Sequence, residues 1–597
     1  MKTLVNFIEA QKNNTFEVFK FYSAGKLTST YSYKKLYQDI IRKASIIHHH
    51  FNINGEIVLV EGENDYEFIT NFFALQFSGN VPVPVTTSMW ITDDYYKSII
   101  ESIISTTKAS TFFLSKNSKK ILKNNKDINF HLPEDWSDIE VIESFIPILP
   151  TEDDLAFIQF SSGSTGNPKG VKLSHFNVYS NLEQIRGEIY QEGEFNHGTT
   201  WLPFHHDMGL IGGVLTPLFN EFAAAIMSPY DFAVNPSRWL KVISETKSNM
   251  IMSSNSGYHI TAKKVKKANL DKYDLSSVQF ALCGAEPINE QTLKSFCETF
   301  EVCGFKESAF LPCYGMAENT LAISFHRGDK IVVDKIDRKK LTEESIALRP
   351  AANANKDDIL TFVSCGKPLK GIELKIINSD GADLPERSIG EILVKSPSMT
   401  KGYYKREDIN KDLFLDGYLK TGDLGYISEG NLYITGRKKD IIILRGLNIN
   451  AEEIESRAMN ISDVRPGRLV AVAQRCEKNE SEEIRLIVET KVDFKYVNNS
   501  TRKAFQEKIS KEMSKYIAIG PDQISVVAPG TILKTTSGKI KRQCMKKKFD
   551  SGLIKDDDFM KDFVSYKVKE TYVKSVVATK NIKNTVTSIF DDMAFWA

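Results

Sequence analysis

Cysteine is scarce and scattered, with seven residues in 597, at positions 283, 297, 303, 313, 365, 476 and 544. No CxxC pair and no Cys/His cluster at zinc spacing occurs, which excludes a disulfide framework or zinc module and suggests reduced thiols packed in cores. An excess of either charge is also missing. Lys plus Arg total 77 against 76 for Asp plus Glu, a formal net charge of +1, so a global field aimed at nucleic acid or an acidic surface is not expected. No window approaches the roughly 18 apolar residues of a membrane span, and the run Leu4 to Ile8 before Glu9 is too short for a signal-peptide core. A cytoplasmic protein without integral membrane contact is expected. Repeats and low-complexity linkers are lacking too, which excludes a solenoid.

What is present is an ordinary globular composition, 42% hydrophobic and 26% charged. Its length allows roughly four domains of about 150 residues, or fewer if one is large. Short apolar runs ending in Gly, Ser or Pro alternate with stretches of helical spacing: EIVLV (Glu56 to Val60), VPVPV (Val81 to Val85), LAFIQF (Leu155 to Phe160) and VQFALCG (Val278 to Gly284). Near-continuous apolar runs suit strands covered on both faces, hence α/β layering. From about residue 360 GIELKII, GEILVKS and NLYIT read as a compact β section. After Gly436 come the strand IIIL, then Asn450 with Glu453 three residues on, a capping-box-like start to the helix AEEIESRAM. LVAVAQ and EIRLIVETKV read as strands, Thr501 to Ile519 as a helix, and Lys534 to Lys548 as a lysine-rich segment around a glycine.

The strongest signal is SSGSTGNPKG, Ser161 to Gly170, directly after LAFIQF. Gly163, Gly166 and Gly170 let backbone amides turn toward a ligand; Ser161, Ser162, Ser164 and Thr165 add hydroxyls; Lys169 adds positive charge. Such a loop suits phosphate oxygens. It is not a Walker loop, since neither Gly163 nor Gly166 has the required Gly-Lys five residues on. The run resembles the phosphate-binding signature of the adenylate-forming superfamily of acyl-CoA synthetases, luciferases and peptide-synthetase adenylation domains.

Further segments match that resemblance in order. CGAEP, with Gly284, Ala285, Glu286 and Pro287, resembles the turn that walls adenine. YGMAENT resembles the segment in which Tyr314 stacks on adenine, followed by Gly315, Met316 and Ala317, and Glu318 helps hold magnesium. TGD and GRKKD resemble the ribose-binding aspartate, Asp423, and the arginine before the hinge, Arg437; the hinge position falls on Lys439. TTSGKIKR resembles the loop whose lysine, Lys539, reaches the reacting atoms. Taken singly, Glu318 would be a capping carboxylate, Asp423 a turn residue and Lys539 a solvated lysine. Their shared order over about 380 residues overturns that.

The chemistry fits these residue types. A carboxylate attacking the α-phosphate of ATP needs no general base; the obstacle is repulsion between anions, on the order of 4 kcal/mol at about 4 Å and an effective dielectric near 20. Magnesium, Lys539 and the glycine-rich loop would offset it. The resemblance implies an α/β fold: a large N-terminal body (residues 1–436) of two α/β subdomains plus a small β-rich subdomain, then a small mobile α+β C-terminal domain (437–548). Residues 549–597 form an extension without an assigned role.

LPFHHDMGLIGG, Leu202 to Gly213, resembles the fatty acyl-AMP ligases, with Asp207 and Met208 the informative letters and His206 beside the carboxylate being activated. An acyl pocket would run from His206 through Met208, Gly212 and Gly213 toward Ser253 and Tyr258. SSNSGY (Ser253 to Tyr258) departs from the family's usual proline-containing segment, as does Leu533 where many relatives have proline. The stretch from about Arg327 to Leu360 resembles the insertion that, in those ligases, restrains the small domain from the CoA-using arrangement. The resemblance thus implies a fatty acyl-AMP ligase using ATP and magnesium, with a fatty acid substrate and an acyl carrier protein or polyketide synthase carrier domain as acceptor. The alternatives are an acyl-CoA synthetase and a non-catalytic nucleotide-binding or scaffolding protein. Chain length, carrier identity and oligomeric state stay open.

Overall fold

The structure is a computed structural model and describes residues 3–88, 93–123, 128–136, 139, 145–161, 168–189, 197–444, 447–459, 461–476, 481–491, 499–517, 519–535 and 539–554. Ser162 to Gly166 of the glycine-rich loop, and nearly all of the expected 549–597 extension, lie outside the described residues.

The fold is α/β. A nine-stranded sheet has six parallel strands at its centre, in the order Phe310–Gly315, Phe280–Gly284, Met250–Ser254, His197–Thr200, Ala223–Met227 and Glu17–Ser23. Antiparallel strands close its edges: Lys26–Ser32 on one side, Ala322–Phe325 and Lys367–Pro368 on the other. A second, four-stranded sheet is parallel throughout, in the order Val81–Val85, Ile57–Glu61, Thr111–Phe113, Asn129–His131. Parallel strands need crossovers, and the helices that supply them cover both faces, which is why these strands are near-continuous apolar runs.

LAFIQF belongs to neither sheet. It lies in the strand Leu155–Ser161, which turns back antiparallel onto Lys169–Ser174, with Ser161 opposite Lys169. Both ends of the glycine-rich segment are therefore held in one antiparallel pair. The β section comprises Glu373–Ile377, Gly390–Lys395, Tyr418–Ser428 and Asn431–Arg437, all antiparallel.

The expected insertion is structured. Val333–Asp337 pairs antiparallel with Ile359–Val363, and between them the helix Arg338–Glu344 starts on Asp337, whose side chain accepts from the Lys340 amide at 3.0 Å. Ile336 and Ala347 pack on Tyr426 and Tyr433 of the β section. Arg387 reaches Asp334 at 2.8 Å and the Ala347 carbonyl at 2.6 Å.

After Asp440 the hairpin Ile441–Leu444 with Leu447–Asn450 leads into the helix Ala451–Ala458. The antiparallel strands Val464–Cys476 and Ser481–Thr490, with Ile524–Val527 parallel to the second, form a sheet. The helix expected over Thr501 to Ile519 spans Asn499–Met513. Asn450 caps its helix by accepting from the Glu452 amide at 3.0 Å. The capping box expected with Glu453 is replaced by another contact: that carboxylate pairs with Arg338 of the insertion at 2.7 Å and with Arg457 at 3.3 Å. An ion pair with two guanidinium groups outcompetes a single backbone amide. Among the described residues no helix is long and apolar enough to cross a membrane.

Candidate active site

Several motif residues follow the C-terminal ends of the central parallel strands, the end at which ligands bind in open α/β sheets. The strand Phe280–Gly284 delivers Ala285 and Glu286; Phe310–Gly315 delivers Tyr314. A Cβ on Gly315 would run into the Leu321 carbonyl, so only glycine fits that turn. Ala285 sits at φ +68°, a left-handed conformation that costs a β-carbon-bearing residue and that clusters at functional sites. The Glu286 carboxylate accepts from the Ser256 amide and hydroxyl, which ties the expected adenine wall to the SSNSGY segment.

Tyr314, Asp423 and Arg437 form one unit. The Tyr314 hydroxyl donates to Asp423 Oδ2 at 2.8 Å, and Arg437 Nε lies 3.1 Å from Oδ1. Asp423 and Arg437 are cross-strand partners in the β section, so the antiparallel register presents both toward the tyrosine. The Asp423 carboxylate raises the Arg437 pKa above its ordinary value.

Glu318 and Lys169 meet through a residue that the sequence motifs did not flag. The Tyr403 hydroxyl donates to Glu318 Oε1 at 2.6 Å, while Lys169 Nζ stands 4.8 Å from the centre of the same ring. Backbone bonds fix this arrangement: Thr400 N to Glu318 O and Tyr404 N to Gly170 O, each 2.7 Å. Burial, and then Lys439, lower the Lys169 pKa, whereas Glu318 pulls it back up. The only hint of Tyr403 was an aromatic pair after a glycine in TKGYY, which matches no catalytic pattern.

His206 Nδ1 lies 2.6 Å from Asp207 Oδ1, which also accepts from the Met208 amide at 2.7 Å. Burial pushes the Asp207 carboxyl up, but His206, Lys539 and that amide together hold it below its ordinary value. Met208–Leu215 is a π-helical turn, a form that often marks functional sites. A Cβ on Gly213 would press on Thr200 at 2.9 Å, whereas at Gly212 it would make ordinary contact with Met252 and Leu321.

The remaining acyl-pocket candidates are placed differently. Ser253 is fully buried. Tyr258 is buried among Trp239, Phe296 and Phe310, and its hydroxyl donates to the Leu282 carbonyl at 3.0 Å, so its polar end is already partnered in the aromatic core.

Lys539 comes from the C-terminal part. Its loop is pinned by Thr535, whose hydroxyl accepts from the Lys539 amide at 3.0 Å and whose amide donates to the Lys539 carbonyl at 2.7 Å. Burial, and then Arg437, lower its pKa, while Asp207, Asp423 and Glu286 act in the opposite direction. Lys539 is thus coupled by charge to Glu286, Asp423 and Asp207, three of the residues expected at the site.

The AMP-binding enzyme family matches residues 8–404. The chain belongs to that family. A putative ligase of Mycobacterium tuberculosis is 35% identical over 400 residues, 66% of this chain and 72% of that protein. The medium-chain-fatty-acid acyl-carrier-protein ligase TtuA of Teredinibacter turnerae is 33% identical over 423 residues, 68% of this chain and 64% of that one. Among solved structures, one from a study of fatty acyl-adenylate ligases of E. coli and L. pneumophila superposes with a TM-score of 0.85 at 29% identity, covering 92% of this chain and 98% of that one. The sequence resemblance to fatty acyl-AMP ligases is borne out by these relatives, and ATP is the nucleotide that adenylate-forming enzymes use.

Proposed function

We propose that this AMP-binding enzyme converts a fatty acid and ATP to acyl-AMP and pyrophosphate, then passes the acyl group to the phosphopantetheine thiol of a carrier protein. The observation that carries this reading is the joined Tyr314–Asp423–Arg437 unit, with Lys539 from the C-terminal part coupled by charge to Asp423, Asp207 and Glu286. That is the arrangement the first half-reaction needs.

In this reading Tyr314 offers its face to adenine, Asp423 accepts the ribose hydroxyls and Arg437 braces the same carboxylate. Lys169 and the glycine-rich loop take the phosphates. Lys539 neutralises charge where the substrate carboxylate meets the α-phosphate, and His206, oriented by Asp207, lies beside that carboxylate. No group of three or more metal-ligating side chains is present among the described residues. A single carboxylate, Glu318, with phosphate oxygens supplying the other positions fits magnesium, which keeps few protein ligands; when bound it would neutralise phosphate charge. Residues 437–548 act as the mobile domain in this reading, with Lys439 as hinge.

The insertion supports a carrier-protein acceptor over CoA. It reaches the C-terminal part from both of its ends: Arg338 binds Glu453 at 2.7 Å and the Tyr516 carbonyl at 3.2 Å, and Asp357 accepts from the Tyr516 hydroxyl at 3.2 Å. Arg457 stacks on Tyr516 and donates to the Asp357 carbonyl at 3.1 Å. Anchored also to Tyr426 and Tyr433, the insertion restrains rotation of the small domain. Incubation with ATP, magnesium and medium- and long-chain fatty acids should accumulate acyl-AMP, with little acyl-CoA when CoA is added; robust acyl-CoA synthesis would overturn this reading.

A further inference from the structure

The strand Asn431–Arg437 carries an irregularity just before the proposed hinge. Gly436 stands opposite Leu424 and Ile434 opposite Gly425, so Thr435 is the extra residue of a β-bulge and has no partner residue in the ladder. Its carbonyl is taken instead by Asn450, whose side-chain Nδ2 donates to it. The neighbouring Gly436 makes room for this approach, since a Cβ built there would collide with the Asn450 amide.

The two ends of that bond lie on opposite sides of Lys439. Thr435 precedes it, in a strand of the body, whereas Asn450 follows it and caps the helix Ala451–Ala458 of the C-terminal part. Rotation about φ or ψ of Lys439 therefore moves the donor relative to the acceptor. The Asn450 side chain cannot follow by changing rotamer, because its Oδ1 is held by the Glu452 amide at 3.0 Å within the part that turns. One short side chain thus has a polar end fixed to each side of the hinge. Lys541 also crosses between the two parts, with Nζ 4.1 Å from the centre of the Tyr95 ring on the helix Asp93–Thr107, but an ammonium on a flexible stem keeps such a contact over a range of angles.

We infer that Asn450 is a positioning residue that clasps the C-terminal part to the bulge at Thr435 and so stabilises the hinge angle of the arrangement proposed for adenylation. This rests on the reading of Lys439 as hinge and of residues 437–548 as the mobile domain. Asn450 acts through the Thr435 carbonyl and not on the reacting groups. It biases a two-state element toward the state that carries out the first half-reaction.

Single-molecule energy transfer in the full chain tests this, with dyes attached through unnatural amino acids at the exposed positions 272 of the body and 503 of the C-terminal part. Asn450→Asp keeps the size and the cap acceptor but replaces the donor by an oxygen. It should lower the ratio of the present arrangement to all others about two- to tenfold, the effect of one hydrogen bond on a two-state equilibrium, with Tm kept. Asn450→Ala loses the cap as well and should lower both the ratio and Tm. A ratio in Asn450→Asp equal to that of the natural chain would overturn the inference, and a fall confined to Asn450→Ala would leave Asn450 as a helix cap alone. Fatty-acid-dependent ATP–pyrophosphate exchange by the natural chain is measured alongside. Without exchange but with a shifted ratio in Asn450→Asp, the adenylation reading fails and the clasp stands; with exchange and an unshifted ratio, only the clasp fails.

Discussion

The body and the C-terminal part build their interiors from different materials. In the body, Trp201 stacks on Phe232 at 3.7 Å, Tyr258, Phe296 and Phe310 interlock edge to face, and Phe72 packs on Phe157. The described core beyond Ile441 contains no buried aromatic residue: Ile, Leu, Val, Ala and Met fill it. It adds two buried ionic clusters instead. Arg542 joins Asp440 and Glu455, and Glu489, with no exposed surface, faces Arg465 at 3.3 Å and Arg468 at 4.0 Å while accepting the Gly530 and Ile532 amides at 2.9 and 3.0 Å. The body also buries charge at Lys43, whose ammonium pairs with the part-exposed Glu67 and lies over the Trp136 ring.

Aromatic packing contributes large areas and tolerates few alternative arrangements, which suits a platform holding the Tyr314 and Asp423 geometry. Buried ion pairs add little net stability over apolar replacements, yet breaking one is costly, so they favour one arrangement. The Glu489 cluster organises the 530 loop upstream of Lys539, and the Arg542 cluster includes Asp440, next to the proposed hinge Lys439. The part read as moving is held by directional charge, and the part read as stationary by rings.

Glu489→Ala would remove the buried carboxylate that faces Arg465 and Arg468 and should destabilise the C-terminal part by about 3–5 kcal/mol, while the body's transition stays in place; calorimetry resolving a single shifted transition would break the comparison. Lys539→Ala should reduce acyl-AMP formation about 10²–10³-fold with ATP binding retained, and unchanged turnover would remove this lysine from the chemistry.

Tyr403→Phe deletes a bond to the Glu318 carboxylate and should cost about 1.5–3 kcal/mol in kcat/KM for ATP. An unaltered kcat/KM would make Tyr403 packing alone.

Half-buried Glu452 sharpens the comparison through pH. Burial pushes its pKa up to about 7, against an ordinary 4.5. A carboxyl raised on folding contributes stability that is full below pH 4.5 and is lost as pH rises through about 7. Glu452→Gln should abolish that loss, on the order of 1–3 kcal/mol, seen as a flatter profile of C-terminal stability between pH 4.5 and 7.5. A profile unchanged by the substitution would assign the titration elsewhere.

The smallest expected effect is at the insertion. Arg338→Ala should weaken its grip on Glu453 by about 1 kcal/mol, read as a roughly fivefold gain of acyl-CoA formation with adenylation retained. No gain would separate the insertion from acceptor choice.

Motif order made most of the candidate site legible, because Lys169, Glu318, Asp423, Arg437 and Lys539 each sit in a short segment whose local backbone is dictated by glycine or by strand register. Tyr403 was invisible because its role arises from two backbone bonds joining segments more than 80 residues apart. Glu453 was misread as a capping partner because the competing Arg338 lies 115 residues upstream. The sequence did not show that Tyr258 packs against Phe296 and Phe310, since those contacts join residues 38 and 52 positions away.

The sequence by itself determined the α/β class, the glycine-bearing turns and the chemical identity of each site group, since these follow from local periodicity and residue type. Only the tertiary structure decided that the strands flanking the glycine-rich loop pair antiparallel, that Tyr403 bridges Glu318 and Lys169, and that the segment expected as the insertion contacts the C-terminal part through Arg338 and Asp357. Those contacts join residues distant in the chain, and their geometry depends on how whole elements pack.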